Sequence, residues 1–189
     1  MANRVPEKTP LPPVTLILGG ARSGKSAYGE ALVEAQPGDC VYLATGQAGD
    51  DEMARRIAQH KARRGERWQT IEAPLALTEA LTKAARPGAA VLVDCLTLWL
   101  SNLLLAGREP ETETLALIDR LPRLVGPVVL IANEVGLGIV PENALARRFR
   151  DAAGRLNQAV AAVAGRVVLV TAGLPQILKN DAVEQRCPS

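Results

Sequence analysis

A glycine-rich turn, Gly19-Gly20-Ala21-Arg22-Ser23-Gly24-Lys25-Ser26, satisfies the pattern G-x-x-x-x-G-K-[ST] behind an apolar run at residues 14–18, and a helical pattern follows it. Glycines let the backbone wrap so that successive N–H groups aim at phosphate oxygens, and a helix beginning near Lys25 adds the positive end of its dipole. Lys25 then reaches the outer phosphates of a nucleoside triphosphate, and the Ser26 hydroxyl ligates Mg²⁺. The second group on the metal side is an acid ending a buried strand. The run Ala90-Val91-Leu92-Val93-Asp94 supplies it in Asp94. Asp94 equally suits the N-cap of a helix beginning at Leu96, and the two roles are compatible.

The chain holds a single histidine, His60. It lies in DDEMARRIAQHKARR, residues 50–64, which opens with acids and closes with bases, as a helix dipole favours. At helical spacing Met53, Ile57, His60 and Arg64 share one face, so His60 points with the apolar stripe toward the body of the protein. A histidine there is either a structural group or a catalyst. Lys61, Arg63 and Arg64 crowd the same end, forming either a cationic cluster for triphosphate oxygens or a solvated basic helix end. Facing a nucleotide, a neutral imidazole nitrogen attacks phosphorus and forms a covalent intermediate. Nearby cations disfavour its protonation and keep it nucleophilic.

These groups need a scaffold that brings them to one edge. Apolar runs at residues 14–18, 41–45, 90–94, 128–132 and 167–171, with a shorter one at 68–72, alternate with helical patterns at 25–35, 51–64, 75–85, 96–106, 111–124 and 142–164. The alternation predicts an α/β fold, a mostly parallel sheet with helices on both faces. All the runs except 68–72 are unbroken, as strands buried on both faces require. In the last helix Leu145, Phe149, Ala152, Leu156, Val160 and Val163 recur every three or four residues, with Pro141 at the first turn. Ligands of such sheets collect beyond the carboxyl ends of the strands.

The chain's 189 residues suit one domain. The expected division is a flexible proline-rich extension at 1–13, a catalytic domain at 14–179 and a tail at 180–189. With a net charge of +2 and 3% aromatic residues, the chain offers neither a broad positive field nor stacking platforms, so nucleic acid is not an expected partner. The longest apolar stretch, residues 90–106, is interrupted by Asp94, Ser101 and Asn102, and no membrane span is expected. Cys40, Cys95 and Cys187 are odd in number and lack a CxxC pair, which argues against a disulfide framework or a zinc site and fits a reducing cytoplasm. No Asn-Lys-x-Asp run occurs, which disfavours a GTP-driven switch module. A plain phosphate-loop kinase of a small metabolite, with His60 structural, is the enzymatic alternative.

Four segments occur in order between about residues 14 and 179: GGARSGKS from Gly19, DDEMARRIAQHKARR followed by Trp68 and Glu72, VDCLTLWLSNLL from Val93, and NEVGLGIVPENALARRFRDAAGRLNQ from Asn133. Together they resemble the bifunctional adenosylcobinamide kinase and adenosylcobinamide-phosphate guanylyltransferase family of cobalamin synthesis. The resemblance implies a RecA-like, three-layer phosphate-loop fold and two activities. A nucleoside triphosphate, ATP or GTP, phosphorylates adenosylcobinamide; GMP then passes from GTP through a guanylylated histidine to adenosylcobinamide phosphate. By position His60 matches that histidine. Ala44, Thr45, Gly46, Lys61, Ala62, Arg63, Arg64, Glu72 and Asp94 match further nucleotide contacts, and Glu72 does so on resemblance alone, since the sequence reads it as the end of an exposed strand.

Glu134, beyond the run at 128–132, is read either as a general base for the kinase hydroxyl or a cobinamide contact, or as a turn acid before Gly136 and Gly138. The resemblance further implies a trimer whose subunit junctions help form the cobinamide site. The helix at 96–106, with Trp99, Leu103 and Leu104, serves such an interface or the core. Two departures stand out: the extension before Val14 is long, and Gly46 stands where a Ser or Ala often follows the Thr.

Overall fold

The computed structural model describes residues 10–46 and 65–181. The expected helix at 51–64, with His60, Lys61, Ala62, Arg63 and Arg64, lies outside the described residues. The rest alternates as the apolar runs require. The strands are β1 (Val14–Gly19), β2 (Asp39–Ala44), β3 (Trp68–Glu72), β4 (Ala89–Asp94), β5 (Val128–Asn133), β6 (Arg166–Thr171) and β7 (Leu174–Asn180). The helices are α1 (Lys25–Glu34), α2 (Leu77–Ala84), α3 (Leu96–Leu105), α4 (Pro110–Arg120) and α5 (Ala144–Val163).

The described strands form one sheet in the order β3-β2-β4-β5-β1-β6-β7, parallel except for the β6–β7 pair. Side chains alternate along each strand, and the two faces bury different partners. Leu16, Val41, Val91, Val93 and Leu130 meet Leu77, Leu96, Trp99, Leu117 and Leu156 of α2 to α5. Ile17, Tyr42, Leu92, Val129 and Ile131 meet Tyr28, Leu32 and Val33 of α1. This is the expected α/β sandwich, and it aims the carboxyl ends of six parallel strands at one edge.

Four local expectations are corrected. First, a strand absent from the sequence reading, β7, returns antiparallel along the edge after the two-residue turn Ala172-Gly173, where both φ angles are positive, 52° and 80°. Such a turn matches the twist of a hairpin. Pro175 lacks an N–H, and an edge strand tolerates that. Second, the start of α5 is set by Asn143 rather than by Pro141: the Asn143 side chain accepts from the N–H groups of Leu145 and Ala146 at 2.8 and 3.1 Å. Leu145, expected on the buried stripe, is 53% exposed in this first turn. Third, the helix expected over 111–124 ends at Arg120 and gives way to a 3₁₀ turn at Leu121–Arg123, because Pro122 has no N–H to continue it. Fourth, Leu11 and Pro12, expected in the flexible extension, are buried, and Leu11 packs into the α1-side core.

Gly38, at the turn into β2, has φ +89°, and a Cβ there would lie 2.0 Å from the Gly88 carbonyl oxygen, which itself accepts from the Asp39 N–H. Gly107 is also left-handed, at φ +68°, with nothing within 4 Å of a Cβ. Gly107→Ala is therefore expected to cost about 1 kcal/mol, the conformational penalty alone. Gly38→Ala, which must also displace backbone, should cost about 3 kcal/mol. Urea denaturation of the two variants checks the difference; equal losses would refute the close-approach account.

Candidate functional site

The phosphate loop bridges β1 and α1. Gly24 occupies the N-cap of α1 in the left-handed region, at φ 96° and ψ 0°, and Arg22 precedes it with φ 56°. The chain thereby turns sharply enough to start the helix at Lys25, and the first-turn N–H groups of α1 have no acceptor within the helix. The Ser23 N–H donates to the Gly20 carbonyl at 3.3 Å. Lys25, only 8% exposed, lays its ammonium against the same carbonyl oxygen at 3.0 Å. The β6–β7 turn braces the loop from behind. Gly173 N–H donates to Ser23 O at 2.8 Å, and a Cβ on Gly24 would lie 3.2 Å from Gly173 Cα.

Asp94 ends β4 half-buried, and its Oδ2 accepts from the Tyr42 hydroxyl at 3.1 Å. The helix-cap role does not hold: the N-cap of α3 is Cys95, and no side chain caps it. Burial pushes the Cys95 thiol up to about 11, and the neighbouring Asp94 carboxylate adds to the rise. The thiol is therefore protonated at neutral pH and is no nucleophile. The Thr45 hydroxyl, fully buried, donates to Cys95 O at 2.7 Å and accepts from Cys95 N–H at 2.8 Å. Asn102 on α3 donates to the carbonyls of Thr45 and Pro74 at 2.8 and 3.0 Å. These two side chains lock the loops after β2 and β3 to the end of β4.

Register settles which groups meet. Ala44 pairs with both Glu72 and Asp94, so the ends of β3, β2 and β4 stand in one row. On the other side Asn133 of β5 pairs with Gly19, where the phosphate loop begins. Loop, Ala44 to Gly46 and Asp94 thus gather at one edge. Glu72 does not join them closely: it is exposed, and four strand spacings, about 19 Å along the sheet, separate it from Gly19. The Gly46 departure has a local reason, since a Cβ there would press to 3.3 Å on Leu98 Cδ1. Glu134 does act as a turn acid, accepting from the Gly136 N–H at 2.7 Å, and it also borders a cleft of about 460 Å³ on the α5 side, with Leu18, Asn157, Gln158 and Lys179. Tyr42, Asn102 and Gly173 escaped the sequence reading because their roles arise from contacts between segments far apart in the chain. Among the described residues no cluster of three or more His, Cys, Asp or Glu side chains could hold a metal by itself, and no helix is long and apolar enough to cross a membrane.

Residues 15–178 match the family described as cobinamide kinase / cobinamide phosphate guanyltransferase. The chain is 52% identical over 169 residues to the bifunctional adenosylcobalamin biosynthesis protein CobP of Pseudomonas aeruginosa, covering 88% of this chain and 97% of that protein. It is 44% identical over 174 residues to the bifunctional adenosylcobalamin biosynthesis protein CobU of Salmonella typhimurium, covering 84% and 96%. Among solved structures, the flagellar accessory protein FlaH of Methanocaldococcus jannaschii superposes with a TM-score of 0.55 at 14% identity, over 91% of this chain and 80% of that one. An ATPase of a bacterial type III secretion system gives a TM-score of 0.54 at 14% identity, over 84% and 51%. Those two likenesses concern the fold, and they agree with a RecA-like phosphate-loop sandwich. The chain belongs to the cobinamide kinase / cobinamide phosphate guanyltransferase family, as its phosphate loop, strand-end acid and the order of its motifs led one to expect.

Proposed function

We propose that the chain runs two transfers on one scaffold. In the first, the aminopropanol hydroxyl of adenosylcobinamide attacks the terminal phosphorus of ATP or GTP; its proton passes to a base, and a nucleoside diphosphate leaves. Glu134, beside the loop, is our choice for that base. In the second, the unprotonated nitrogen of His60 attacks the α-phosphorus of GTP, a nitrogen–phosphorus bond forms, and pyrophosphate leaves. The phosphate of adenosylcobinamide phosphate then displaces the imidazole, giving adenosylcobinamide-GDP and free His60. The observation that carries this reading is the phosphate loop, closed by Lys25 on Gly20 O and braced by Gly173, in a chain of this family.

Gly19 to Ser26 wrap the phosphates, with Lys25 on the outer ones. Ser26 at the start of α1 and Asp94 at the end of β4 suit Mg²⁺, which favours one or two protein oxygens together with phosphate oxygens and water over an all-protein cage. When bound, the ion neutralises charge on the phosphates. Ala44, Thr45 and Gly46 line the nucleotide's path along the strand ends. Lys61, Ala62, Arg63 and Arg64 follow His60 in sequence and supply cations for the triphosphate. Glu72 serves the base or ribose, at a distance from the loop that suits the far end of a nucleotide and not its phosphates. A domain spanning 14–179, a trimeric assembly and a cytoplasmic location complete the reading.

Intact mass after incubation with GTP and Mg²⁺ tests the guanylylation. The expected gain equals one GMP with release of pyrophosphate, and His60→Ala abolishes it; a wild-type chain that stays unmodified excludes the reading in favour of a plain kinase, and release of GDP and phosphate favours a switch. Lys25→Ala is expected to lower the phosphorylation rate by roughly a hundredfold or more, the usual scale for removing a charge aimed at a transferring group. Steady-state assay of adenosylcobinamide phosphorylation measures it, and a variant within a few-fold of wild type contradicts the role given to Lys25.

A further inference from the structure

Asp94 closes β4 and is the acid proposed for Mg²⁺. The sheet register shows how the neighbouring strand reaches it. Tyr42 of β2 pairs with Leu92 of β4, and Ala44 pairs with Asp94. Tyr42 and Asp94 are thus diagonal neighbours, and strand alternation puts both on the face that carries Leu92. That face is covered by α1, since Tyr42 and Leu92 pack with Tyr28, Leu32 and Val33. At the strand-end edge of the same face α1 begins with Lys25 and Ser26.

A tyrosine is long enough to span this diagonal. Its hydroxyl donates to Asp94 Oδ2 at 3.1 Å, joining residues 52 positions apart in the chain. The ring is firmly held. Tyr42 is 7% exposed, and Trp68 of β3 meets it edge-on, with ring centroids 6.3 Å apart and planes at 73°. Trp68 is tied in turn to α1, its indole N–H donating to Glu34 Oε1 at 2.9 Å. Asp94 itself is half-buried, and its carboxylate accepts no other hydrogen bond among the described residues. A carboxylate at a strand end otherwise turns easily about its last torsion, which is broad and roughly two-fold. Phenylalanine would fill the space of the buried ring equally well, so packing alone does not account for the hydroxyl.

We infer that Tyr42 is a positioning residue for the cation site: by occupying Oδ2 of Asp94 it leaves Oδ1 as the oxygen offered to the Mg²⁺ that accompanies the nucleotide. The inference rests on the place proposed for Asp94 beside that ion. Mg²⁺ demands near-ideal octahedral geometry from only one or two carboxylates, so the direction of each counts. Hydrogen bonds to a ligating carboxylate fix its orientation and raise metal affinity. A phenol does this without adding charge. A lysine or arginine in its place would pair with the carboxylate and compete with the cation.

The test uses Mn²⁺ as the probe cation, its binding to the full chain saturated with α,β-methylene-GTP being read by electron paramagnetic resonance. This analogue cannot release pyrophosphate, so no transfer to a histidine intervenes. The chains compared are wild type, Tyr42→Phe, Asp94→Asn and the double variant. Tyr42→Phe keeps the ring and its contact with Trp68. It is expected to raise the Mn²⁺ dissociation constant roughly tenfold, the scale for removing a hydrogen bond to a ligating group, while nucleotide binding in EDTA stays within about twofold of wild type. Asp94→Asn is expected to weaken Mn²⁺ at least as much, and adding Tyr42→Phe to it changes the constant by less than about twofold, the non-additivity of residues that act as one unit. Unchanged Mn²⁺ affinity in Tyr42→Phe, with Asp94→Asn impaired, overturns the inference and leaves the proposed function standing. An equal loss from Tyr42→Phe in both backgrounds shows that the phenol does not act through Asp94, and overturns it. A matching loss of nucleotide in EDTA gives Tyr42 a structural role and overturns it as well. Wild-type Mn²⁺ affinity in Asp94→Asn removes the metal role of Asp94 itself, and the inference with it.

Discussion

A parallel sheet covered on both faces has nowhere to expose its chemistry except at its ends, and there the backbone ladder runs out. Each strand leaves a carbonyl or an N–H that no neighbouring strand accepts, close to a core from which water is excluded. In this chain those groups are tied by buried hydroxyls and carboxamides. Thr45 spans both backbone groups of Cys95, Thr97 and Asn157 hold Asn133, and Asn102 holds Thr45 and Pro74. The edge is thereby a set of cross-linked strand ends rather than a fringe of loops.

That cross-linking gives the phosphate loop its precision. The loop is a backbone device, and its value depends on how little its carbonyls and N–H groups move when charge arrives. One side is anchored by β5 through Glu134 N–H to Gly19 O, the other by the β6–β7 hairpin through Gly173 N–H to Ser23 O. Its outer strand, β7, is exposed along nearly its whole length and adds little to the core. The hairpin's contribution is the turn, whose glycine approaches Gly24 more closely than a side chain would allow. Lys25 and Asp94 face the same space, with Tyr42 orienting the acid from the neighbouring strand.

The two activities of the family make different demands on such an edge. Phosphoryl transfer needs the loop, the metal oxygens and an acceptor hydroxyl brought in line. Nucleotidyl transfer needs the α-phosphorus within reach of a nucleophile, hence a nucleotide that extends beyond the loop. The row Asp94–Ala44–Glu72 runs outward from the loop for a further three strand ends, which sets Glu72 far from the loop along the same edge.

Much of the fold was legible because both faces of the central strands are buried. Val14, Val41, Val91, Val128 and Val167 sit in runs that no soluble helix or half-exposed strand would carry, and all became strands. The phosphate loop was legible because its glycines and lysine lie next to one another in the chain, where spacing alone encodes the geometry. The edge strand β7 was not, since an exposed strand with a proline has no hydrophobic signature. Nor were the partners of Asp94 and Asn133. Tyr42, Thr97 and Asn157 look in sequence like ordinary core or helix-surface residues, and they meet their targets only after segments as much as 52 residues apart in the chain are brought together. Local spacing determined the phosphate loop and the helix that follows it; long-range register decided which strand ends stand together, because only the assembled sheet sets the distances between them.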